Sequence, residues 1–387
     1  MIIKNMNLFT DLNEYKCEIT LEKEGEILAY QTGICELAPL SEKRMPIPME
    51  IPEDEGELVL TVAFCLKEDN LWGDAGHEVA YGQAVFGKRE EIVPKKGHME
   101  VSVGWNNIGV RGDDFEILFS KIHGGLVSYI YAGTEMIKTM PKPNFWRPMT
   151  ENDIANILPF RAGQWKIASQ FLSYKYEHGR KATDYVIEEK EDEVKVTYTY
   201  HLPTKPAMDS KLAYTVHADG RVDVDLSMDA SAEVGELPEF SVLFDFDASF
   251  DHLKWYGLGP EETYVDKFHG KLGVYENEVK ENMAKYLRPQ ECGNKIGVRY
   301  AELTNHRGRG IRFDGEDLSF SALPHSPHEI DCANHPTELP PIQSTFVRVG
   351  LMQMGVAGDD TWGALTHPEF MIDNKKPLQL HFSFIGI

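Results

Sequence analysis

The sequence LAYTV at Leu212–Val216 and the sequence VDVDL at Val222–Leu226 flank the short segment ADGR at Ala218–Arg221. In both flanks, large apolar side chains alternate with small or polar ones. This pattern is typical of a strand with one buried face and one face in solvent. The Asp-Gly pair between the flanks favours a tight turn. The stretch therefore predicts an antiparallel β-hairpin.

The same alternation recurs along most of the chain. Tyr15–Leu21 and Val194–Tyr200 place an apolar or aromatic side chain at every second position. Helical periodicity is confined to two short candidates, Gly163–Ser173 and Val279–Tyr286. Since the period of two dominates, we predict an all-β protein with antiparallel sheets.

A charged, turn-rich segment divides the sequence. The stretches KREE at 88–91 and PKKG at 94–97 are poor in apolar residues, so we predict a linker at residues 91–104. Residues 1–90 have the size of an immunoglobulin-like β-sandwich, with about six or seven short strands. Residues 105–387 carry too many strands for another small sandwich, and they favour one large two-sheet β-sandwich.

Composition excludes several classes of partner. The 387 residues include 62 acidic and 39 basic side chains, giving a net charge of −23, which argues against binding to nucleic acid or to an anionic membrane. The longest apolar run, Leu58–Leu66, is too short to span a bilayer and contains Thr61.

No secretory signal is visible at Met1–Leu12, and the sequence has no C-x-x-C motif. We therefore expect reduced thiols in a cytoplasmic protein, because an odd number of widely spaced cysteines does not suggest a disulfide framework. The five cysteines are Cys17, Cys35, Cys65, Cys292 and Cys332.

The sequence contains no self-contained catalytic set. His325, His328 and His335 lie in a proline-rich stretch, and we interpret them as solvated loop histidines because no further ligand stands at metal-site spacing. The acid pairs Glu261–Glu262 and Asp359–Asp360 are adjacent residues. In a strand, adjacent side chains point to opposite faces, so neither pair predicts two converging carboxyls.

The loop GVAGDDTWG at Gly355–Gly363 is the strongest candidate for a binding site. Its glycines permit tight backbone conformations, and its aspartates can accept backbone N–H groups. Such a loop can present the indole of Trp362 for stacking on a flat ligand. The alternative is a buried core tryptophan beside a tight turn.

Four segments, taken together, match the signature of a known family. Leu71–Ala80 resembles the pattern LWAxAGHEVA, Phe145–Asp153 resembles FxRAPTDND, Trp255–Asp266 resembles WxGxGPxExYxD, and Gly355–Trp362 resembles GxGGDDSW. The segments occur in family order and span nearly the whole chain. The sequence thus resembles the C-terminal part of a lacZ-type β-galactosidase of glycoside hydrolase family two.

This resemblance implies an immunoglobulin-like domain followed by a large supersandwich like that of galactose mutarotase. It implies part of an enzyme that hydrolyses β-galactosides such as lactose with retention of configuration, in a homo-oligomer. The reactive glutamates would lie in a TIM barrel, and Met1–Leu12 resembles the segment that follows it. Retention needs two carboxyls about 5 Å apart. Magnesium and sodium would bind mainly in the barrel, so no cofactor is expected in this chain. The chain itself would be a fragment of the enzyme or a separately encoded small subunit.

The resemblance also implies roles in the glycine-rich loop. Trp362 matches the family tryptophan that stacks on the substrate at the mouth of the active site. Gly358, Asp359 and Asp360 would hold that loop in place. Ala357 stands where the family pattern has a glycine.

Glu151–Asn156 matches a mobile loop near the family's active site. Glu151, Asn152 and Asp153 are the implied site residues there, with Asp153 as the anchor. The sequence departs from the family at Glu151, where an aspartate is usual, and at Ala155, where a hinge glycine is common. Loop motion is therefore expected to differ.

Residues of the Trp255–Asp266 segment are expected to be structural, with polar side chains that satisfy buried backbone groups beside a glycine turn. Two other functions remain open. An aldose-1-epimerase-like enzyme would need a converging histidine and glutamate, for which His335 and Glu261 are the candidates. A carbohydrate-binding module would bind sugars without turnover.

Overall fold

The computed structural model describes residues 1–52, 56–172 and 185–387, with the side chain of residue 232 left aside. Strands dominate this part of the chain, so the prediction of an all-β protein is confirmed. The chain divides into two compact units. The first comprises Met1–Val93 with Lys271–Val274, and the second comprises Pro94–Gly270 with Tyr275–Ile387.

In the first unit, the described residues of Met1–Val93 form six strands in two antiparallel sheets. One sheet has the order β3-β2-β5-β6, and β1 pairs with β4 in the other. The long apolar run becomes the inner strand β5, whose two neighbours explain why almost every residue in it is buried. The strands are β1 (Ile2–Lys4), β2 (Tyr15–Lys23), β3 (Glu26–Gly33), β4 (Glu42–Arg44), β5 (Leu58–Leu66) and β6 (Glu78–Phe86).

The second unit begins with a five-stranded sheet of order β11-β10-β9-β8-β7. Its first strand lies inside the stretch predicted as a linker at 91–104, so that stretch is not wholly unstructured. The strands are β7 (Glu100–Val103), β8 (Asn107–Arg111), β9 (Phe115–Ser120), β10 (Gly125–Tyr131) and β11 (Thr134–Glu135).

The larger sheet has twelve strands among the described residues. Nine run in the order β12-β17-β22-β21-β23-β16-β15-β14-β13, while β18 joins β19 and β20 beside them. The strands are β12 (Thr139–Asn144), β13 (Tyr185–Glu189), β14 (Glu193–Leu202), β15 (Met208–His217), β16 (Val222–Met228), β17 (Glu239–Asp247), β18 (Phe250–Gly259), β19 (Lys271–Glu278), β20 (Lys295–Asn305), β21 (Gly310–Leu323), β22 (Ser344–Gln353) and β23 (Leu378–Gly386).

The predicted hairpin is confirmed as β15 and β16. Val216 pairs with Val222, and Leu212 pairs with Leu226. Gly220 adopts a φ of 86°, a left-handed conformation that favours glycine in the turn. The alternating apolar side chains of both strands are buried in the core that the two sheets share, as predicted. The prediction of a face in solvent is wrong for β15, where Ala213 and Thr215 on the other face are buried as well.

The helices were predicted less well. The helix predicted at 163–173 extends over α2 (Leu158–Phe171), and its predicted last residue, Ser173, lies outside the described residues. The helix predicted at 279–286 is wrong, because only a single 3-10 turn forms at Val279–Asn282. Two further short helices, α1 (Glu151–Ala155) and α3 (Pro327–Cys332), lack a long periodic pattern. No helix in the described ranges has the length and apolar character that crossing a membrane requires.

Tyr129 provides a test of how the second unit is held together. Its buried hydroxyl donates to the carbonyl of Gly220 at 2.9 Å and accepts from the amide of Gly386 at 2.8 Å. We expect Tyr129→Phe to lower the free energy of unfolding by about 1–3 kcal/mol, because two buried backbone groups lose their partner. Urea unfolding measures this.

The control is Tyr131→Phe, a neighbouring ring stacked on Tyr129 with 6.3 Å between ring centroids. Within the described residues its hydroxyl makes no hydrogen bond, so a much smaller loss is expected. Equal losses for the two variants would contradict this account of Tyr129.

Candidate functional site

Three of the four signature segments meet in the second unit. Arg147 lies in the segment Phe145–Asp153, Asp266 ends the segment Trp255–Asp266, and Gly355 begins the segment Gly355–Trp362. The guanidinium of Arg147 donates to the carbonyl of Gly355 at 3.1 Å. Asp266 accepts from the amide of Ala357 at 2.9 Å. Segments that are far apart in sequence are thus joined by direct hydrogen bonds.

Arg147 is the centre of this junction. It forms an ion pair with Asp153 at 2.6 Å between Nη1 and Oδ2, and both side chains are fully buried. A buried pair of this kind holds its position because each charge would otherwise be left without compensation in a low-dielectric interior. The sequence did not single out Arg147, since nothing in a single sequence distinguishes a buried arginine from a solvated one.

Asp153 has a second role at the start of α1. Its carboxylate accepts from the amide of Thr150 at 2.8 Å, while the Thr150 hydroxyl accepts from the amide of Asp153 at 3.2 Å. This reciprocal arrangement is a capping box. The segment predicted as a mobile loop therefore begins as a short helix. Ala155, at the expected hinge, is the last residue of that helix.

The other two predicted residues of this segment lie at the edge of a cavity. Glu151 is exposed, and its amide donates to the side chain of Gln290 at 3.0 Å. Asn152 is half-buried. Both line a cavity of about 230 Å³, whose other walls are Thr150, Glu262, Tyr264, Lys267, Tyr286, Gln290, Glu291 and Val356.

Close packing explains two glycines in the candidate loop. A Cβ at Gly355 would lie 2.7 Å from a carboxylate oxygen of Asp266, and a Cβ at Gly358 would lie 2.5 Å from the carbonyl oxygen of Ala364. Both distances are shorter than real contacts. The loop can therefore approach Asp266 and Ala364 only because these positions lack a side chain.

The two aspartates of the loop also have partners. The carboxylate of Asp360 accepts from the amides of Trp362 at 2.8 Å and Ala364 at 3.1 Å. These backbone hydrogen bonds lower the pKa of Asp360. Asp359 contacts His367 at 2.9 Å and raises the pKa of that imidazole. The turn around position 362 is thus closed on itself by local contacts.

Trp362 is 89% exposed on this loop. The alternative of a buried core tryptophan is therefore wrong. Trp146, Trp165 and Trp255 show the opposite behaviour and are buried in the core. The loop is held by hydrogen bonds to its backbone, and the indole is already in solvent. The indole can therefore stack on the flat face of a ligand without a change in the fold.

The segment that ends at Asp266 contacts the loop through Asp266 and is itself packed into the protein. Trp255 and Tyr264 are buried. Glu262 accepts from the amide of Gly293 at 2.8 Å and forms an ion pair with Lys267 at 2.8 Å. These contacts agree with a structural role for this segment, since its polar side chains satisfy backbone groups next to the cavity.

A buried ionic group lies beside the cavity. Arg348 contacts Glu239 at 2.9 Å and Glu291 at 2.8 Å, and all three side chains are buried. Burial raises the pKa of Glu239 to about 7, with the Arg348 charge opposing and the Glu291 charge adding to the shift. One arginine thus serves two carboxylates. These residues were not predicted, because they come from three strands or loops without a common motif.

The histidine stretch differs from the prediction. His325 is buried, and His328 is half-buried in α3, so their interpretation as solvated loop histidines is wrong. The reason is that Ser326 caps α3, and Ile330 of this helix is buried in a small apolar cluster with Cys292 and Leu323. Burial, together with the charges of nearby lysines, lowers the pKa of His328 to about 4.

The pair required by an epimerase is not assembled. His335 is exposed and contacts Glu338 at 3.0 Å, whereas Glu261 is exposed in the turn before Glu262. No contact joins His335 to Glu261 in the described part of the chain. Across residues 1–52, 56–172 and 185–387, no group of three or more His, Cys, Asp and Glu side chains could hold a metal ion.

Comparison with known proteins gives two family matches. Residues 111–385 match the model of the β-galactosidase small chain, and residues 1–87 match the model of β-galactosidase domain 4. Among curated proteins, the chain is similar to the β-galactosidase of Halalkalibacterium halodurans, with 37% identity over 99% of this chain and 38% of that protein. The β-galactosidase of Priestia megaterium is 37% identical over 96% of this chain and 36% of that protein.

A separately encoded protein also matches. The β-galactosidase small subunit of Latilactobacillus sakei is 30% identical over 74% of this chain and 96% of that subunit. The chain therefore spans just over a third of the single-chain relatives above and nearly all of this subunit. Among solved structures, the galactose 1-epimerase of Lactobacillus acidophilus resembles the chain with a TM-score of 0.40 and 10% identity, over 76% of this chain and 99% of that one.

The loop contacts give a first prediction at the site. We expect Asp266→Ala to speed hydrogen exchange at the amide of Ala357 by about tenfold or more, because a charge-assisted hydrogen bond to a backbone group contributes roughly 1.5–3 kcal/mol. Hydrogen exchange read by NMR measures it. Asp373→Ala, at an exposed aspartate that pairs with Lys376 and makes no contact with Ala357 among the described residues, is the control and should leave this amide unchanged. Unchanged exchange in Asp266→Ala would contradict the role of Asp266.

The buried carboxylate gives a second prediction, on pH. The pKa of Glu239 in the folded protein lies above its ordinary value, so the folded state holds this proton more tightly than the unfolded state. The stability that this proton contributes is present at low pH and is lost as the pH rises through about 7. We therefore expect the free energy of unfolding of Glu239→Gln, whose side chain stays neutral, to rise relative to that of the native chain between pH 5 and pH 8.

Urea unfolding at both pH values measures this difference. Glu116→Gln is the control, since Glu116 pairs with Arg111 at the surface. A difference between Glu239→Gln and the native chain that is equal at pH 5 and pH 8 would show that Glu239 does not titrate in this way.

Proposed function

The chain belongs to the β-galactosidase small-chain family, and from this premise we propose that it is the non-catalytic part of a β-galactosidase that closes one side of the substrate pocket. Its family model covers residues 111–385. We propose that the whole enzyme hydrolyses terminal β-galactosides such as lactose in the cytoplasm. The reactive carboxyls would belong to polypeptide outside this chain.

Exposure of Trp362 is the observation that carries the proposal. An indole contributes a large apolar face, and its removal from water against the apolar face of a sugar ring is favourable. The loop is already ordered by Asp266 and Asp360, so little conformational freedom remains to be lost when a ligand binds. Stacking of this kind orients a substrate more than it activates it.

Gly358, Asp359 and Asp360 would act through the loop. Gly358 allows the close approach to Ala364, and the two aspartates fix the ends of the turn. Glu151, Asn152 and Asp153 would shape the wall beside it, with Asp153 linked to the loop through Arg147. These are positioning roles, and none of them requires a reactive group in this chain.

Retaining hydrolysis requires two carboxyl groups about 5 Å apart on either side of the glycosidic bond. The exposed Glu151 and the half-buried Glu262 lie at the cavity wall, and Glu262 is already committed to Lys267 and to the amide of Gly293. Glu291 is committed to Arg348. Of the three carboxylates that line the cavity, Glu262 and Glu291 thus serve the fold. The exposed Glu151 alone cannot form a pair of reactive carboxyls, which supports placing that pair elsewhere.

A single full-length protein tests the proposal. In it, the 387-residue chain replaces the matching segment of the H. halodurans β-galactosidase. We expect this chimera to hydrolyse nitrophenyl-β-galactoside and the isolated chain to show no turnover. In the chimera, Trp362→Ala should raise KM about 3- to 10-fold with a smaller change in kcat, because lost stacking is worth about 0.5–1.5 kcal/mol.

Trp105→Ala is the matched control, since Trp105 is 99% exposed but lies outside the signature segments. It should leave KM unchanged, and Trp362→Phe should recover part of the loss. Turnover by the isolated chain, or an unchanged KM in Trp362→Ala, would refute the proposed role.

A further inference from the structure

The core of the first unit is open along one side. A groove of about 560 Å³ runs between the segment Met1–Asn7 and the strand β6, and its floor is formed by Leu60, Val62 and Phe64 of β5. Leu60 and Phe64 belong to the hydrophobic core of this unit. The groove therefore leads directly to core side chains.

On the face of β6 that is turned toward the core, three successive positions of the groove wall carry small residues. Ala80, Gly82 and Ala84 are paired with Phe64, Val62 and Leu60, and residues paired across an antiparallel sheet have their side chains on the same face. These three small residues thus lie on the face that carries the core. They are nevertheless exposed. A core-facing stretch of an edge strand that remains exposed indicates a core with missing side chains.

The opposite wall is a free strand edge. Met45 donates to the carbonyl of Met1 at 3.0 Å, and Asn5 donates to the carbonyl of Ser41 at 2.9 Å. In an antiparallel pair the hydrogen-bonding groups alternate between the two edges. The backbone groups of Ile2 and Lys4 consequently lie on the other edge of β1, where no described strand pairs with them.

Apolar side chains continue next to this edge. Ile2 is 57% exposed, and Met6 is 79% exposed, and both line the groove. Val79 on β6 is also exposed. A soluble protein seldom leaves an apolar groove, an open strand edge and a row of exposed apolar residues together, unless another polypeptide covers them.

We propose that this groove binds an extended segment of the catalytic part of the enzyme, which adds a strand to β1 and completes the core against Ala80, Gly82 and Ala84. Such a segment would pair its backbone with Ile2 and Lys4 and would carry apolar side chains at alternate positions. This inference rests on the proposed function, because it takes the rest of a β-galactosidase as the partner.

The relatives favour this partner. The chain covers only 38% of the H. halodurans enzyme, so most of that enzyme lies outside the matched segment. The small-chain match begins at residue 111, whereas the first unit matches domain 4 of β-galactosidase. The first unit thus lies outside the small-chain model, and in the H. halodurans enzyme, which matches 99% of this chain, it shares one polypeptide with the unmatched remainder. This favours contacts between the first unit and that remainder. A second copy is disfavoured by the net charge of −23.

Hydrogen exchange in the chimera and in the isolated chain tests the groove. We expect the amides of Ile2 and Lys4 to exchange at least 100-fold more slowly in the chimera. Gly82→Asp adds a charged side chain where a Cβ would meet open space, so it should be tolerated by the isolated chain and should destabilise the chimera. Gly33→Asp, at another open glycine on β3 at the opposite edge of the same sheet, is the matched control and should affect neither.

The outcomes separate this inference from the proposed function. Turnover by a chimera whose Ile2 and Lys4 amides exchange as fast as in the isolated chain would overturn the groove and leave the function standing. Protected amides of Ile2 and Lys4 in a chimera without turnover would overturn the proposed function and leave the groove standing. Protection already present in the isolated chain, with a dimer in analytical ultracentrifugation, would identify a second copy as the occupant and overturn the proposal.

A measurement on the isolated chain alone does not depend on folding of the chimera. The apolar dye anilinonaphthalene sulfonate should bind to the open groove, and Gly82→Asp should reduce the fluorescence at least threefold while Gly33→Asp leaves it unchanged. Dye binding that is equal in all three proteins would overturn the proposal.

Discussion

The buried ion pair between Arg147 and Asp153 is the constraint on which the site depends. Both charges are removed from water, and each is held by the other and by neighbouring backbone groups, while the charge of Glu291 also favours the Arg147 cation. Removing one partner from such a pair costs roughly 3–5 kcal/mol, because the remaining charge has no compensation. The pair fixes α1 on one side and the carbonyl of Gly355 on the other. The position of the glycine-rich loop is therefore determined by its contact with this buried ion pair.

The two carboxylates of the loop are engaged, Asp360 by backbone amides and Asp359 by His367. Asp266 holds the amide of Ala357, and the indole of Trp362 is left in solvent. In the cavity beside the loop, Glu291 is engaged by Arg348, and Glu262 is engaged by Lys267 and the amide of Gly293. A site with these properties can position a ligand but has little to offer as an acid, a base or a nucleophile. This division agrees with a chain that covers little more than a third of its single-chain relatives.

The sequence was informative where one physical signal dominated. Alternation of side chains predicted the all-β fold and the hairpin at 212–226, because a buried sheet face imposes a period of two. Glycine and aspartate in the loop at 355–363 predicted a tight turn, although exposure of Trp362 could not be separated from burial. The sequence was silent where burial decides the outcome. A single sequence gives no sign that His328, Arg147 and Glu239 are removed from solvent, since their environments are assembled from distant segments. The helix predicted at 279–286 is wrong, since the chain returns to an extended conformation at Met283 after a single 3-10 turn.

The central claim is that an exposed indole on a loop fixed by the core meets a sugar held by another part of the enzyme. The most direct test is a cryo-EM structure of the chimera with a bound, non-hydrolysable thiogalactoside. We predict that ring atoms of Trp362 lie within about 4.5 Å of the carbon atoms of the ligand, which is the distance of apolar contact. A bound galactoside with the indole turned away from it, or with Trp362 covered by protein, would contradict the account.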